Sequence, residues 1–112
     1  MTDILAMNAR RKLEEENVLG LMLKGASPGV LDDAMTLKVE FFDLDEHRDL
    51  FNIIAGLHRF GVAPDITAIM YRAIDLHYDW FKAAWLVQLI LDAPVDYHHQ
   101  YFDALRGREV AA

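Results

Sequence analysis

An all-α bundle of about six helices, folded as one compact domain, is what the sequence predicts. Apolar residues recur at the three- and four-residue spacing of buried helix faces, as in Leu50, Ile53, Leu57 and Phe60. Glycines, prolines and capping residues cut these periodic segments into lengths of one helix each. The 112 residues suffice for a single hydrophobic core, and 54% of them are apolar. Strand-like alternation is confined to residues 37–41, which read as a short extended connector, and no internal repeat is present.

The first helix spans residues 8–24. Its charged beginning, residues 10–16, is expected to be exposed, and Val18, Leu19, Gly20, Leu21, Met22 and Leu23 form its buried end. Gly25 stops it, because glycine takes the left-handed conformation that closes a helix, and Lys24 suits the last turn. Ser27 is the expected N-cap of a short second helix, with Pro28 in its first position and Val30, Leu31 and Ala34 on its inner face. Asp43, followed by Glu46 in a capping-box-like arrangement, starts the third helix. There Leu50, Ile53, Leu57 and Phe60 form one stripe, and His47, Phe51, Ile54 and His58 form its neighbour. A face that wide predicts the central helix.

Gly61 ends the third helix, and Asp65 caps a fourth after the 62–64 loop, with Ile66, Ile69, Met70 and Ala73 inward. Residues 79–91 read as a fifth helix. Phe81, Trp85 and Leu89 lie on one face of it, and Trp80, Ala84, Val87 and Leu91 lie beside them. Pro94 closes that helix, and Asp96 opens a sixth from residue 97 to about 106 with Tyr101, Phe102 and Leu105 as its apolar positions. Residues 1–12 are then an N-terminal extension, helical or flexible, residues 13–106 the domain, and residues 107–112 a tail.

The net charge of −7 comes from 18 acidic and 11 basic side chains. Apart from Arg10, Arg11 and Lys12, and the pair Arg106 and Arg108, the basic residues are scattered, so the field repels phosphate and direct nucleic-acid binding is not expected. The lack of cysteine removes disulfides, thiolate metal sites and cysteine nucleophiles. No run of 18 apolar residues occurs, and residues 1–4 lack the basic and apolar regions of a signal peptide, so a cytoplasmic protein without a membrane span is expected.

The histidines do not suggest a metal centre. A carboxylate bundle needs Glu-x-x-His pairs on facing helices, and none occurs. His98 and His99 diverge by about 100° on a helix, and His47 and His58 are about three turns apart. The lone serine, Ser27, is accounted for by capping, and Gly20 to Gly25 has the separation of a phosphate loop but is followed by Ala26 and Ser27 instead of Lys and Ser or Thr. The acidic pairs Asp32-Asp33 and Asp43-Asp45 suit helix starts better than acid–base chemistry. No cofactor and no enzymatic activity are expected.

Aromatics remain. Without a basic groove they fit a core, with a minority at a protein interface, for which the candidates are Trp80, Trp85, Tyr97, Tyr101 and Phe102. On one helix Trp80 and Trp85 would lie about 140° apart, so one of them is expected to be partly exposed and to support weak self-association.

Several short segments, in order, resemble the N-terminal domain of the DnaB-type replicative DNA helicases. They are Glu15-Glu16-Asn17-Val18-Leu19-Gly20-Leu21-Met22-Leu23, Phe41-Phe42-Asp43 and Glu46-His47-Arg48-Asp49-Leu50-Phe51. Gly61-Val62-Ala63-Pro64-Asp65, Trp85-Leu86-Val87-Gln88-Leu89, Ala93-Pro94 and Tyr101 continue the series. The likeness covers residues 13–106. It departs from the family in lacking the spacer between Pro64 and Asp65 and the Pro-His-Asn type start, and in having no helical hairpin, linker or motor domain after the sixth helix. The resemblance implies a six-helix head in the collar of a hexameric ring, with helicase subunits, primase or a helicase loader as partners. It also implies structural roles for Gly20, Phe42, His47, Phe51 and Asp65. Three origins are consistent with it: a head excised from a helicase, a stand-alone phage or plasmid module that modulates the helicase, and a primase-type helicase-binding domain.

Overall fold

A computed structural model describes residues 2–25, 28–96 and 99–108, leaving aside the side chains of Thr2, Asp3 and Pro28. The expected cap at Ser27, the interface role of Tyr97, and His98 therefore lie outside the described residues. Six helices follow in order: α1 (Thr2–Lys24), α2 (Pro28–Ala34), α3 (Asp45–Arg59), α4 (Ile66–Asp75), α5 (Ala83–Asp92) and α6 (His99–Arg106). Among the described residues there is no strand, and no helix is long and apolar enough to cross a membrane. The radius of gyration of 13.7 Å is that of one folded unit, close to the roughly 13 Å expected for this length.

The central helix is α1, not α3. It packs against α2, α3, α5 and α6, and its residues 18–23 are buried without interruption. A segment with no exposed residue over a turn and a half has neighbours all round, whereas α3 leaves Asn52 and Arg59 in solvent. Helix α1 also begins six residues earlier than its apolar pattern indicates, so the N-terminal extension is helical from residue 2. Gly20 sets the separation of α1 and α5: a Cβ at this position would lie 2.4 Å from the Leu89 carbonyl oxygen and 2.8 Å from the Ala93 Cβ. Its structural role is to let two backbones meet.

The core joins Val18, Leu19 and Met22 of α1 to Leu50 and Ile54 of α3, Ile69 of α4, Leu86 of α5, and Phe102 and Leu105 of α6. Phe42 and Phe51, both buried, meet within it with ring centroids 4.9 Å apart and planes tilted by 35°. Gly25 and Gly61 end their helices at φ of +57° and +75°, the left-handed region that glycine tolerates. Asp65 caps α4, its Oδ1 accepting from the Ala68 N–H at 2.8 Å.

Three local expectations fail. Residues 39–41 form a 3-10 turn rather than an extended connector, which still buries Leu37 and Phe41. The N-cap of α3 is Leu44, without a side-chain hydrogen bond, because the Asp43 carboxylate is engaged by Arg11. Helix α5 starts at Ala83, and residues 79–82 form the turn that precedes it, so Trp80 is not on the helix. The buried face of α5 is Leu86 and Leu89, while Ala84, Val87 and Leu91 point outward.

Candidate protein-binding surface

Apolar surface that the small core cannot absorb gathers between α3 and α4. Leu57, Phe60, Val62, Leu76 and Tyr78 line an open groove of about 600 Å³ there, with Ile53 at its base. Gly56 also lines it, and a Cβ at that position would meet no atom within 4 Å. Phe60 falls at the C-cap of α3, where its backbone N–H closes the helix and its ring, 87% exposed, stands at the rim. The polar lining comprises Asp49, Asn52 and Arg72. Burial, and then the neighbouring charges of Asp45 and Glu46, push the Asp49 carboxyl above its ordinary value against a hydrogen bond from Tyr78.

Tyr78 continues the groove into an aromatic ridge. Its ring stacks with Trp80 at 5.9 Å and Phe81 at 6.2 Å, and Trp80 meets Trp85 at 6.0 Å. Phe81 is the buried anchor, edge-on to Trp85 at 5.5 Å. The two indoles, expected on diverging faces of one helix, are thus brought together by the 79–82 turn. Trp80 is the more open, at 42% exposure, and Trp85 is half-buried against His47, with nearly parallel rings 6.2 Å apart.

The other two described interface candidates do not join them. Phe102 is fully buried, because α6 turns Phe102 and Leu105, three residues apart, onto α1. Tyr101 is half-buried against the core. The exposed aromatic rings of Phe60 and Tyr71 were not foreseen as surface features. For Phe60 the signal was its place at the end of the α3 stripe, immediately before the helix-stopping Gly61.

A second polar feature was also missed. Glu15, assigned to the exposed start of the first helix, is fully buried and accepts from His47 Nδ1 at 2.8 Å, the Asp43 backbone N–H at 3.0 Å and Arg108 Nη1 at 2.8 Å. Burial alone would raise the Glu15 carboxyl, but the hydrogen bonds from His47, Arg108 and Asp43 hold it below its ordinary value. The Asp43 carboxyl is lowered as well, chiefly by its bidentate pair with Arg11 at 2.7 and 3.0 Å. Arg108, in the segment read as a tail, folds its side chain into the body at 8% exposure and also reaches Glu14 and the Phe41 carbonyl. Its Nε is buried with no hydrogen-bond partner among the described residues. His47 lies in a network that fastens α1 to α3 and to Arg108, beyond the end of α6.

His58 and His99 each pair with a carboxylate of α2, Asp32 and Asp33, at 3.1 Å. Among the described residues no group of three or more His, Cys, Asp or Glu side chains converges on a metal position. Comparison with protein-family models, curated proteins and solved structures finds no match for the chain.

Proposed function

We propose that this chain is a non-catalytic protein-interaction domain of a replicative DNA helicase assembly, docking helicase subunits, primase or a loader. The observation that carries the interaction reading is the groove between α3 and α4 with its aromatic continuation through Tyr78, Trp80 and Trp85. Open apolar surface edged by Tyr and Trp is the usual composition of a docking centre. A helix of a partner fits it, apolar on one face and with a Lys or Arg placed to meet Asp49 at the polar edge of the groove. The assignment to replication rests on the resemblance of the segments from Glu15 to Tyr101, carried on a six-helix scaffold.

Further support comes from the titratable residues. Glu15 and His47 form the closest acid–histidine pair, yet both are shut off from solvent, so neither is placed to act on a substrate. The acidic surface disfavours a direct nucleic-acid role.

Pull-down of cognate primase, loader and helicase by the chain, repeated with Phe60→Asp, tests the reading. Capture of one of them and its loss in the variant are expected. Capture of none, or ATP turnover that follows the chain through purification, overturns it.

A further inference from the structure

The first turns of α1 stand clear of the body. Residues 4–10 are all exposed, and Arg11, through Asp43, makes the first tertiary anchor. Residues 2–10 project roughly 13 Å at about 1.5 Å per residue. A helix that short is not stable alone in water, and here it grows from an anchored one. Leu5, Ala9 and Leu13 follow at four-residue intervals and are each exposed, so this arm carries an apolar stripe that the described residues leave largely open.

Helix α5 presents a second uncovered face. Its only polar residues are Gln88 and Asp92, and a helix apolar around its circumference is normally enclosed. Only one side is covered here: Leu91 is 71% exposed, and Val95 beyond the helix is fully in solvent on the same end. The two faces are neighbours, since Leu13 borders a crevice between α1 and α5 with Trp85, Gln88 and Asp92. The helices run in the same direction, as Leu13 lies by Trp85 and Lys24 donates to the Pro94 carbonyl at 3.1 Å.

Charge selects the occupant. The first twelve residues hold three basic side chains and one acidic, and the remainder eight basic and seventeen acidic. The last turn of α5 has no basic residue of its own and ends in Asp92, with Asp96 beyond; Lys24 brings one cation to this end at the Pro94 carbonyl, and both carboxylates remain exposed. Arg10, on the arm, is 82% exposed and lies 3.7 Å from Glu14 one turn on, a surface pair that a second carboxylate can exchange with. We infer that the projecting turns of α1 are a dimerisation arm for a second copy of this chain. A twofold axis sets the α1–α5 faces antiparallel, which brings each arm to the end of the other copy's α5. Leu5 and Leu13 then cover Leu91 and Val95, and Arg10 meets Asp92 and Asp96. This inference stands apart from the helicase reading and uses a different surface from the α3–α4 groove.

Sedimentation of the full chain from micromolar to millimolar concentration tests it, with circular dichroism as the check that each variant is folded. A monomer–dimer equilibrium is expected. Leu91→Lys, Arg10→Asp and Asp92→Arg each weaken it about tenfold, since each change falls twice in a twofold interface. The double variant Arg10→Asp/Asp92→Arg recovers association to within about threefold of the original, because both pairs re-form with reversed sign. Phe60→Asp leaves the dimer unchanged. A monomer throughout the range overturns the inference, as does a dimer indifferent to Leu91→Lys, and failure of the double variant to recover overturns the antiparallel pairing.

Discussion

Replacing Gly20 by Ala inserts one methyl group at the point where α1 and α5 touch. In an exposed helix the change would stabilise by about 1 kcal/mol, because alanine restricts the unfolded backbone and glycine does not. At this site the new carbon would lie 2.4 Å from the Leu89 carbonyl oxygen and 2.8 Å from the Ala93 Cβ. Ordinary non-bonded separations are roughly 3.5 Å, so the helices must part by about 1 Å. Neither obstacle can swing aside, since one is backbone and the other a Cβ fixed to it. Overpacking of this kind costs about 1–3 kcal/mol, and the unyielding neighbours place Gly20 near the upper end. Net destabilisation of roughly 1–2 kcal/mol is expected after the helix gain is subtracted, lowering Tm by about 5–15 °C for a domain of this size. Denaturant titration with thermal melts measures it. An unchanged or raised Tm would refute the claim that close approach of α1 and α5 requires glycine here.

Phe51, buried against Phe42, is expected to cost roughly 3–5 kcal/mol when cut to Ala, and a loss under about 1 kcal/mol in urea titration would contradict its place in the core. Arg108→Met leaves the Glu15 carboxylate without its guanidinium, and roughly 3–5 kcal/mol should be lost; a neutral result would show that the end of the chain is not part of the fold. Glu15 and Asp43 both titrate below their ordinary values of 4.5 and 3.8. Their stabilisation is therefore present above those values and is lost as pH falls through the lower, folded-state ones, which acid titration of stability will detect. Asp49 has the opposite sign, its raised value meaning that ionisation opposes folding as pH rises, so Asp49→Asn should stabilise the chain at neutral pH. A loss of stability in that variant would show the carboxylate to be favourably paired.

The features legible in the sequence were those that act within about one helical turn. Gly25 and Gly61 stop helices through their own backbone conformation, Asp65 caps a group three residues away, and the stripe from Leu50 to Ile54 marks a face whatever covers it. The same reasoning misjudged Asp43, whose carboxylate had two possible partners: the local helix start and the distant Arg11. A bidentate guanidinium pair outcompetes a cap, and nothing within reach of Asp43 along the chain reveals that Arg11 will be there.

By itself, then, the sequence determined the helical class, most helix ends and the inward residues, because these follow from backbone geometry and apolar spacing. Which helix is central, where Trp80 meets Trp85, and which groove stays open were decided by packing between elements. The burial of Glu15 is the sharpest case. Its neighbours Glu14 and Glu16 are only partly covered, and periodicity offers no reason to bury the carboxylate between them. The charge is tolerated only because Arg108, 93 residues along the chain, His47 and the Asp43 N–H converge on it, and such convergence exists only after the chain has folded.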